Sequence, residues 1–283
     1  MDYKNSEIAK VKAKPGRPSS STKVVAQVQS LSRGLLLLEK IAQTQGVLLT
    51  DLAEQVDLPV STVHRLLSTL ESQGFVRRES AQELWFVGVT GFKIGNGFLA
   101  SRDFVRQAKP FMAKLVAEVG ETSNLSILQD GRAVIIAQHQ CQEMMRMMVP
   151  LGSSSPLHAS GVGKAILAGL SHDQQVLQLE SVSLDKITEW TIVSQDLLAQ
   201  DLTLAQQRGW ALDDQEHAVG LRCVAACLYD ENSQPIAAIS VSGPLARIDD
   251  ERILYLGEQV KLAAKNITAF IGGCWPHDYL ERL

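Results

Sequence analysis

Leu49–Gly74, LTDLAEQVDLPVSTVHRLLSTLESQG, is the stretch from which the rest of the chain can be read. Val63, Leu66, Leu67 and Leu70 recur at i, i+3, i+4 and i+7, which puts four apolar side chains on one face of a helix. The opposite face carries Ser61, Arg65, Ser68, Thr69 and Ser72, flanked by Thr62 and His64. Pro59 suits the helix entry, where its missing N–H would be unpaired anyway, and Gly74 suits a left-handed exit. Upstream, Thr50 is the expected N-cap of a shorter helix, with Asp51 in its positive first turn and Leu52, Ala53 and Val56 facing inward. Two helices and a tight turn, with short polar groups and a cation outward, fit the major groove of DNA. A helical hairpin whose polar face is merely hydrated shows the same pattern. The sequel favours DNA. Phe75–Arg78 reads as a strand, Ser80-Ala81-Gln82 as a turn and Leu84–Val87 as a returning strand, a wing that sets Arg77 and Arg78 where a phosphate backbone would pass.

Before this stretch, Gln27–Thr44 predicts a first helix, capped near Ser30 or Ser32, with Leu31, Leu35, Leu38 and Ile41 inward. Residues 1–25 are rich in Lys, Ser and Pro and predict a disordered basic tail. Within it Gly16-Arg17-Pro18 could extend along a minor groove with Arg17 inserted, or remain a solvated tail; the composition fits both. A compact winged helix-turn-helix is expected over 26–92, a linker helix that also pairs subunits over 93–109, a second domain over 110–275 and a C-terminal tail over 276–283.

The 283 residues suffice for two cores, and 45% hydrophobic with 20% charged residues is ordinary for a soluble globular chain. Net charge is −4, but residues 1–93 hold 12 Lys+Arg against 9 Asp+Glu, net +3, and residues 94–283 hold 15 against 22, net −7. DNA contact is therefore expected at the N-terminal part alone. Cys141, Cys223, Cys227 and Cys274 form no C-x-x-C pair and no zinc pattern, so no metal or cofactor is expected. Without an apolar signal region or a long apolar run, the expected compartment is a reducing cytoplasm.

The second domain reads as antiparallel strands over Ser123–Leu128, Ala133–His139 and Met144–Val149, with a turn at Asp130-Gly131. Ser160 caps a helix to about Leu170; further helices cover His172–Glu180, Gln195–Arg208 and Asp249–Ile271. Cys223–Tyr229 and Pro235–Ser242 complete the strands of an α+β fold. HASGVGKA (158–165) lacks the glycine and the Ser/Thr of a nucleotide loop. It keeps a Gly-rich helix start that could hold a small anion or simply pack tightly on the sheet. Ser240 and Ser242 lie two apart on a strand and so share a face, where a buried pair needs a polar partner. Arg222 alternates away from that face and Lys164 lies a turn into its helix, so no inward cation is expected. Cys223, His158 and Asp213 allow a cysteine-nucleophile enzyme, but nothing in the sequence aligns them.

Together with the winged helix, HASGVGKA, EHAVGLRC (216–223) and ISVSGPLARIDDER (239–252) identify a chain that resembles the IclR family of bacterial transcriptional regulators. The likeness runs over nearly the whole chain. It implies a DNA-binding repressor, not an enzyme, with a GAF-like effector domain, assembled as a dimer of dimers. The implied effector is a small 2-oxo acid such as glyoxylate or pyruvate, and the implied target the glyoxylate-bypass (acetate) operon. The alternatives are another small-acid or allantoin-breakdown operon, or a small-acid-processing enzyme. The resemblance assigns effector contacts to Gly161, Val162, Asp213, Cys223, Ser240 and Ser242, and an apolar wall to Met144, Met147 and Leu221. Ser155 departs from the family's namesake, which carries leucine there.

Overall fold

The structure, a computed structural model, describes residues 28–79, 81–100, 103–181 and 183–276. The expectations for residues 1–25, including Arg17, and for residues 277–283 lie outside these. The chain divides between Ile94 and Gly95 into two compact units.

The first unit runs α1 (Gln29–Ala42), β1 (Val47–Leu48), α2 (Leu49–Gln55), α3 (Val60–Ser72), β2 (Val76–Glu79) and β3 (Leu84–Val87), and enters α4 (Val89–Ala100). Its antiparallel sheet has the order β1-β3-β2, so the wing gains a third strand that the sequence does not announce. Leu37, Ile41, Leu52, Val63, Leu67 and Trp85 form the core. The helix-turn-helix and wing fall where expected. The phase of α1 does not: Leu31 and Leu35 are more than half exposed, and Gly34, Leu37 and Ile41 are buried. A run of four leucines supports two stripes, and packing of α1 on α3 and β3 selects the one through Leu37. Neither α1 nor α2 has a side-chain cap. α2 starts directly from β1, which leaves Thr50 inside the helix, donating to Asp51 Oδ1 at 3.1 Å. Gly74 does end α3 left-handed, at φ +73°. The Gly88 N–H donates to Phe75 O at 2.7 Å, and a Cβ on Gly88 would lie 2.2 Å from Gly74 O. Only glycine lets the wing close on the helix end.

The second unit contains α5 (Asp103–Val119), β4 (Thr122–Gln129), β5 (Arg132–His139), β6 (Ser154–Pro156), α6 (Gly161–Gly169), α7 (His172–Ser181), α8 (Gln195–Arg208), β7 (Ala211–Asp214), β8 (Leu221–Tyr229), β9 (Pro235–Pro244) and α9 (Asp250–Phe270). Its six strands are antiparallel in the order β6-β5-β4-β9-β8-β7. α5 and α9 bury Met112, Leu115, Leu256, Val260 and Ile267 with Leu125, Val224, Ile239 and Val241 of the sheet. The other layer is α6 and α8, whose Val162, Ala165, Ile166, Leu198 and Leu202 pack with Ala211, Ala225 and Ala238. The α+β class with an antiparallel sheet holds.

Two expectations for this unit fail. The single linker helix expected over 93–109 is divided between the end of α4 and the start of α5, and α5 continues through Pro110 and buries a stripe from Val105 to Val119. Met144–Val149 is not a strand. Arg146 folds the segment back on itself, its Nη1 donating to Glu143 O at 2.9 Å, and the third strand is β6, paired to β5 at Arg132–Val134.

Glu121, at the entry to β4, is 1% exposed. Arg247 grips it with two bonds of 2.7 and 2.8 Å, and Arg252 of α9 lies 3.6 Å away. Removing a buried carboxylate from such a pair typically costs about 3–5 kcal/mol. Here both arginines can rehydrate, so Glu121→Ala should cost about 2 kcal/mol, read as a lowered urea midpoint with unchanged slope. An unchanged midpoint would show that the fork contributes nothing to stability.

Candidate nucleic-acid interface and ligand site

In the first unit α3 presents Ser61, His64, Arg65 and Ser68 to solvent, with Thr62 half-buried. The hydroxyls of Ser68 and Thr69 donate back to His64 O and Arg65 O at 2.9 and 3.0 Å, so their outward capacity is as acceptors. Among the described residues, the side chains of His64 and Arg65 have no internal partner. The wing arginines differ from each other. Arg77 lies over the Phe86 ring at 4.5 Å, exposed and, among the described residues, without a counter-charge. Arg78 is ion-paired with Glu83, and its backbone N–H reaches Glu71 of α3 at 3.3 Å. Phosphate contact by Arg78 would require it to leave Glu83. The polar helix face and both wing arginines thus belong to one unit; Arg17 is outside the described residues.

In the second unit, strand register brings the scattered polar residues into rows. Asp213, Cys223, Ser242 and Thr122 stand abreast across β7, β8, β9 and β4. One step along, Ala225, Ser240 and Asn124 form the next row on the same face. The N-terminus of α6 sits directly on this face: a Cβ on Gly161 would lie 2.9 Å from both the Cys223 carbonyl and its sulfur. The Ser160 side chain caps the helix, accepting from Gly163 N–H at 3.2 Å and donating to Pro156 O at 2.6 Å. The amides of Gly161 and Val162, at the first two helical positions, are left over by the helix itself. Beside them the hydroxyls of Ser240 and Ser242, each 1% exposed, make no hydrogen bond of ordinary geometry; their polar neighbour is the Cys223 sulfur.

Charge around the rows is the feature that sequence reading missed. Lys164 is 1% exposed, and its ammonium binds Glu216 of the β7–β8 loop and, at 2.8 Å, Asp201 of α8. An inward cation is therefore present, already held by two carboxylates. A lysine within the apolar run VGKAIL was the available signal, because such a charge must be paired. Burial lowers the Lys164 pKa, but the two carboxylates outweigh it and hold it above its ordinary value. Asp213 accepts from the amides of Glu216 and His217 at 2.8 and 3.2 Å. Burial, then the charge of Glu216, pushes its pKa up to about 7, against the pull of Lys164 and those amides. Burial and the charge of Asp213 push the Cys223 thiol up to about 11, against the hydroxyls of Ser242 and Ser240. A neutral thiol is a poor nucleophile. His158 does not activate it, being bound through Nε2 to Asp185 O at 3.0 Å.

The apolar wall is assembled less completely. Leu221 opens β8 on the Cys223 face and is half-buried. Met147 is half-buried in the irregular segment before β6, while Met144 is wholly exposed and lines nothing. Ser155 pairs with Ala133 on the short edge strand β6.

Comparison with known proteins supplies the class. Residues 30–80 match the IclR helix-turn-helix domain, and residues 96–269 match the C-terminal domain of bacterial IclR transcriptional regulators. The chain belongs to the IclR family.

Among its relatives, the acetate operon repressor of Salmonella typhimurium is 48% identical across 94% of this chain and 99% of that protein. The transcriptional repressor IclR of Escherichia coli is 47% identical over the same shares. The crystal structure of Thermotoga maritima IclR superposes with a TM-score of 0.75 at 25% identity, covering 87% of this chain and all of that one. This IclR-family chain is a DNA-binding transcriptional repressor, and the enzyme alternative falls with the naming of its relatives as repressors. No helix among the described residues is long and apolar enough to cross a membrane.

The buried Asp213 makes the stability of this regulator depend on pH. Its folded pKa of about 7 lies above its ordinary 3.8. Between those values the native state holds a proton that the unfolded chain releases, so unfolding free energy falls as pH rises through that window. Glu216, also raised by burial first, adds in the same direction. Urea unfolding across pH 4–8 should show this decline, and Asp213→Asn should flatten it. An equal slope in the variant would remove Asp213 as its source.

Proposed function

We propose that this repressor controls a glyoxylate-bypass (acetate) operon and that a small 2-oxo acid, glyoxylate or pyruvate, sets its hold on DNA. The carrying observation is the pair of buried, unpartnered hydroxyls of Ser240 and Ser242 beside the leftover amides of Gly161 and Val162. Four neutral donors and a positive helix end suit a carboxylate with an adjacent oxygen. A second charge at Asp213 would repel that anion. With its pKa raised by burial to about 7, Asp213 has a protonated form available near neutral pH that can donate a hydrogen bond instead. Cys223, Leu221 and Met147 supply the less polar side. The site is closed, with Val162, Asp213 and Cys223 also buried, so entry requires the β7–β8 loop or the segment before β6 to move. The effector shifts operator affinity only by the ratio of its affinities for the two states. The names and extent of the relatives support the operon, and the family's dimer of dimers would carry paired recognition helices to paired half-sites.

For DNA, α3 would enter the major groove with Ser61, Thr62, His64, Arg65 and Ser68 facing bases and phosphates, while Arg77 and Arg78 meet the backbone. Arg65→Ala should weaken specific operator binding by about 1–3 kcal/mol. Arg77→Ala should weaken binding on every sequence and flatten its salt dependence. Gel-shift titrations at several salt concentrations separate the two, and wild-type affinity in both variants would refute this interface.

For the effector, Ser242→Ala deletes one charge-assisted hydrogen bond, worth about 1.5–3 kcal/mol, or roughly ten- to a hundredfold in affinity. Calorimetric titration of the full chain with glyoxylate and pyruvate reads it. Saturable binding of neither acid would reject the ligand class, and unchanged binding to Ser242→Ala would reject the site.

A further inference from the structure

A hollow of about 470 Å3 opens at the far end of α6 from the row of Asp213 and Ser242. From Gly161 to Gly169 the helix spans roughly 12 Å at 1.5 Å per residue, so the two places are separate. The hollow exists because β7 is short. Its first residue, Ala211, faces Ala225, so β8 from Ala226 to Tyr229 has no strand on that side. The Gln215 N–H bonds Leu221 O across the same pair. By the antiparallel alternation this turns the N–H and C=O of Cys227 toward the open side. Small residues of α6 and α8, Ala165, Ala168, Gly169 and Ala205, leave the space above that edge.

The remaining walls point to a particular chemistry. Trp210, Tyr229 and Trp275, each 7% exposed or less, supply aromatic surface. Lys261 and Lys265 of α9 supply two ammonium groups, and no carboxylate lines the hollow among the described residues. Lys265 Nζ lies 5.2 Å from the centre of the Trp275 ring, and the stem of Lys261 lies against Gly209. Among the described residues, Lys261 has only long contacts, 3.4 and 3.5 Å, to the exposed Glu258. These two cations over aromatic walls belong to residues 94–283, whose net charge is −7. The volume falls within the range of about 300–1,000 Å3 typical of small-molecule sites.

We propose that this hollow is a second ligand site, distinct from the 2-oxo acid site, which binds a planar aromatic anion. The ring lies among Trp210, Tyr229 and Trp275, and the anionic group meets Lys261 and Lys265. α6 runs between the two sites, so an occupant here bears on the helix whose N-terminus faces the other.

The probe is 2-naphthoate, titrated by calorimetry into the full chain and followed by 19F resonances of 5-fluorotryptophan at the four tryptophans. Saturable binding at one molecule per chain is expected, with Trp210 and Trp275 shifting while Trp85 and Trp190 do not. Lys261→Gln with Lys265→Gln should weaken it at least tenfold; Lys265 is exposed and glutamine keeps most of the half-buried Lys261 stem, so the fold is retained. Ala168→Phe, which fills the hollow, should abolish it, and Ser242→Ala should leave it unchanged. Absence of saturable binding overturns the proposal. So does full affinity in the double lysine variant, or displacement of the probe by glyoxylate, which would put it in the other site. Failure of glyoxylate itself to bind bears only on the proposed effector.

Discussion

The ammonium of Lys164, buried between Glu216 and Asp201, is the interaction on which the second unit's geometry turns. It adds a polar tie between α6, the β7–β8 loop and α8, the last already packed on α6 through apolar side chains. A charge taken that far from water is tolerable only when its partners are held in place, so the partners' elements are held with it. Once α6 is anchored, Gly161 can rest directly on Cys223, and the amides at its start lie beside the Ser240 and Ser242 hydroxyls. The same loop, through the amides of Glu216 and His217, holds Asp213 at the end of the row. Thr188 and Thr191 tie that loop to the segment before α8 by donating to Gln215 O and Glu216 O, each at 2.8 Å.

The two units spend their polar residues in opposite ways. In the first, polar side chains are outside: the outer face of α3 is exposed, and the hydroxyls of Ser68, Thr69 and Ser72 bond back to their own helix. Such a face needs a partner with its own charge and base edges. In the second, polar side chains are inside, on a sheet face roofed by α6, and the hydroxyls of Ser126, Ser240 and Ser242 are left without hydrogen-bond partners of ordinary geometry. Burying them unpaired costs free energy, which a small ligand with matching oxygens, as proposed above, would offset. The division of charge along the chain, basic before residue 94 and acidic after it, follows the same division between the units.

Local pattern carried much of this reading. The helix-turn-helix, the wing, the Ser160 cap, the Asp130-Gly131 turn and the long C-terminal helix are each specified by side chains close in sequence, because caps, turns and the 3.6-residue period are short-range effects. Ser240 and Ser242 could be placed on one face for the same reason: alternation along a strand is local. What failed was whatever depends on a choice between equivalent local patterns. Four consecutive leucines could not choose the buried face of α1, and the Met144–Val149 run carried strand-like side chains with no strand to pair with.

The sequence by itself determined that there is a polar helix face behind a proline and ahead of a wing, and a glycine-rich helix start in the second half. Only the tertiary structure decided that Asp213, Cys223, Ser242 and Thr122 stand in one row, since strand register is set by pairings up to about 120 residues apart. It alone turned Lys164 inward, because a helix period gives spacing but not the identity of the surface it packs against. The short reach of β7, which opens the hollow beside Cys227, is likewise a property of the sheet edge and of no single segment.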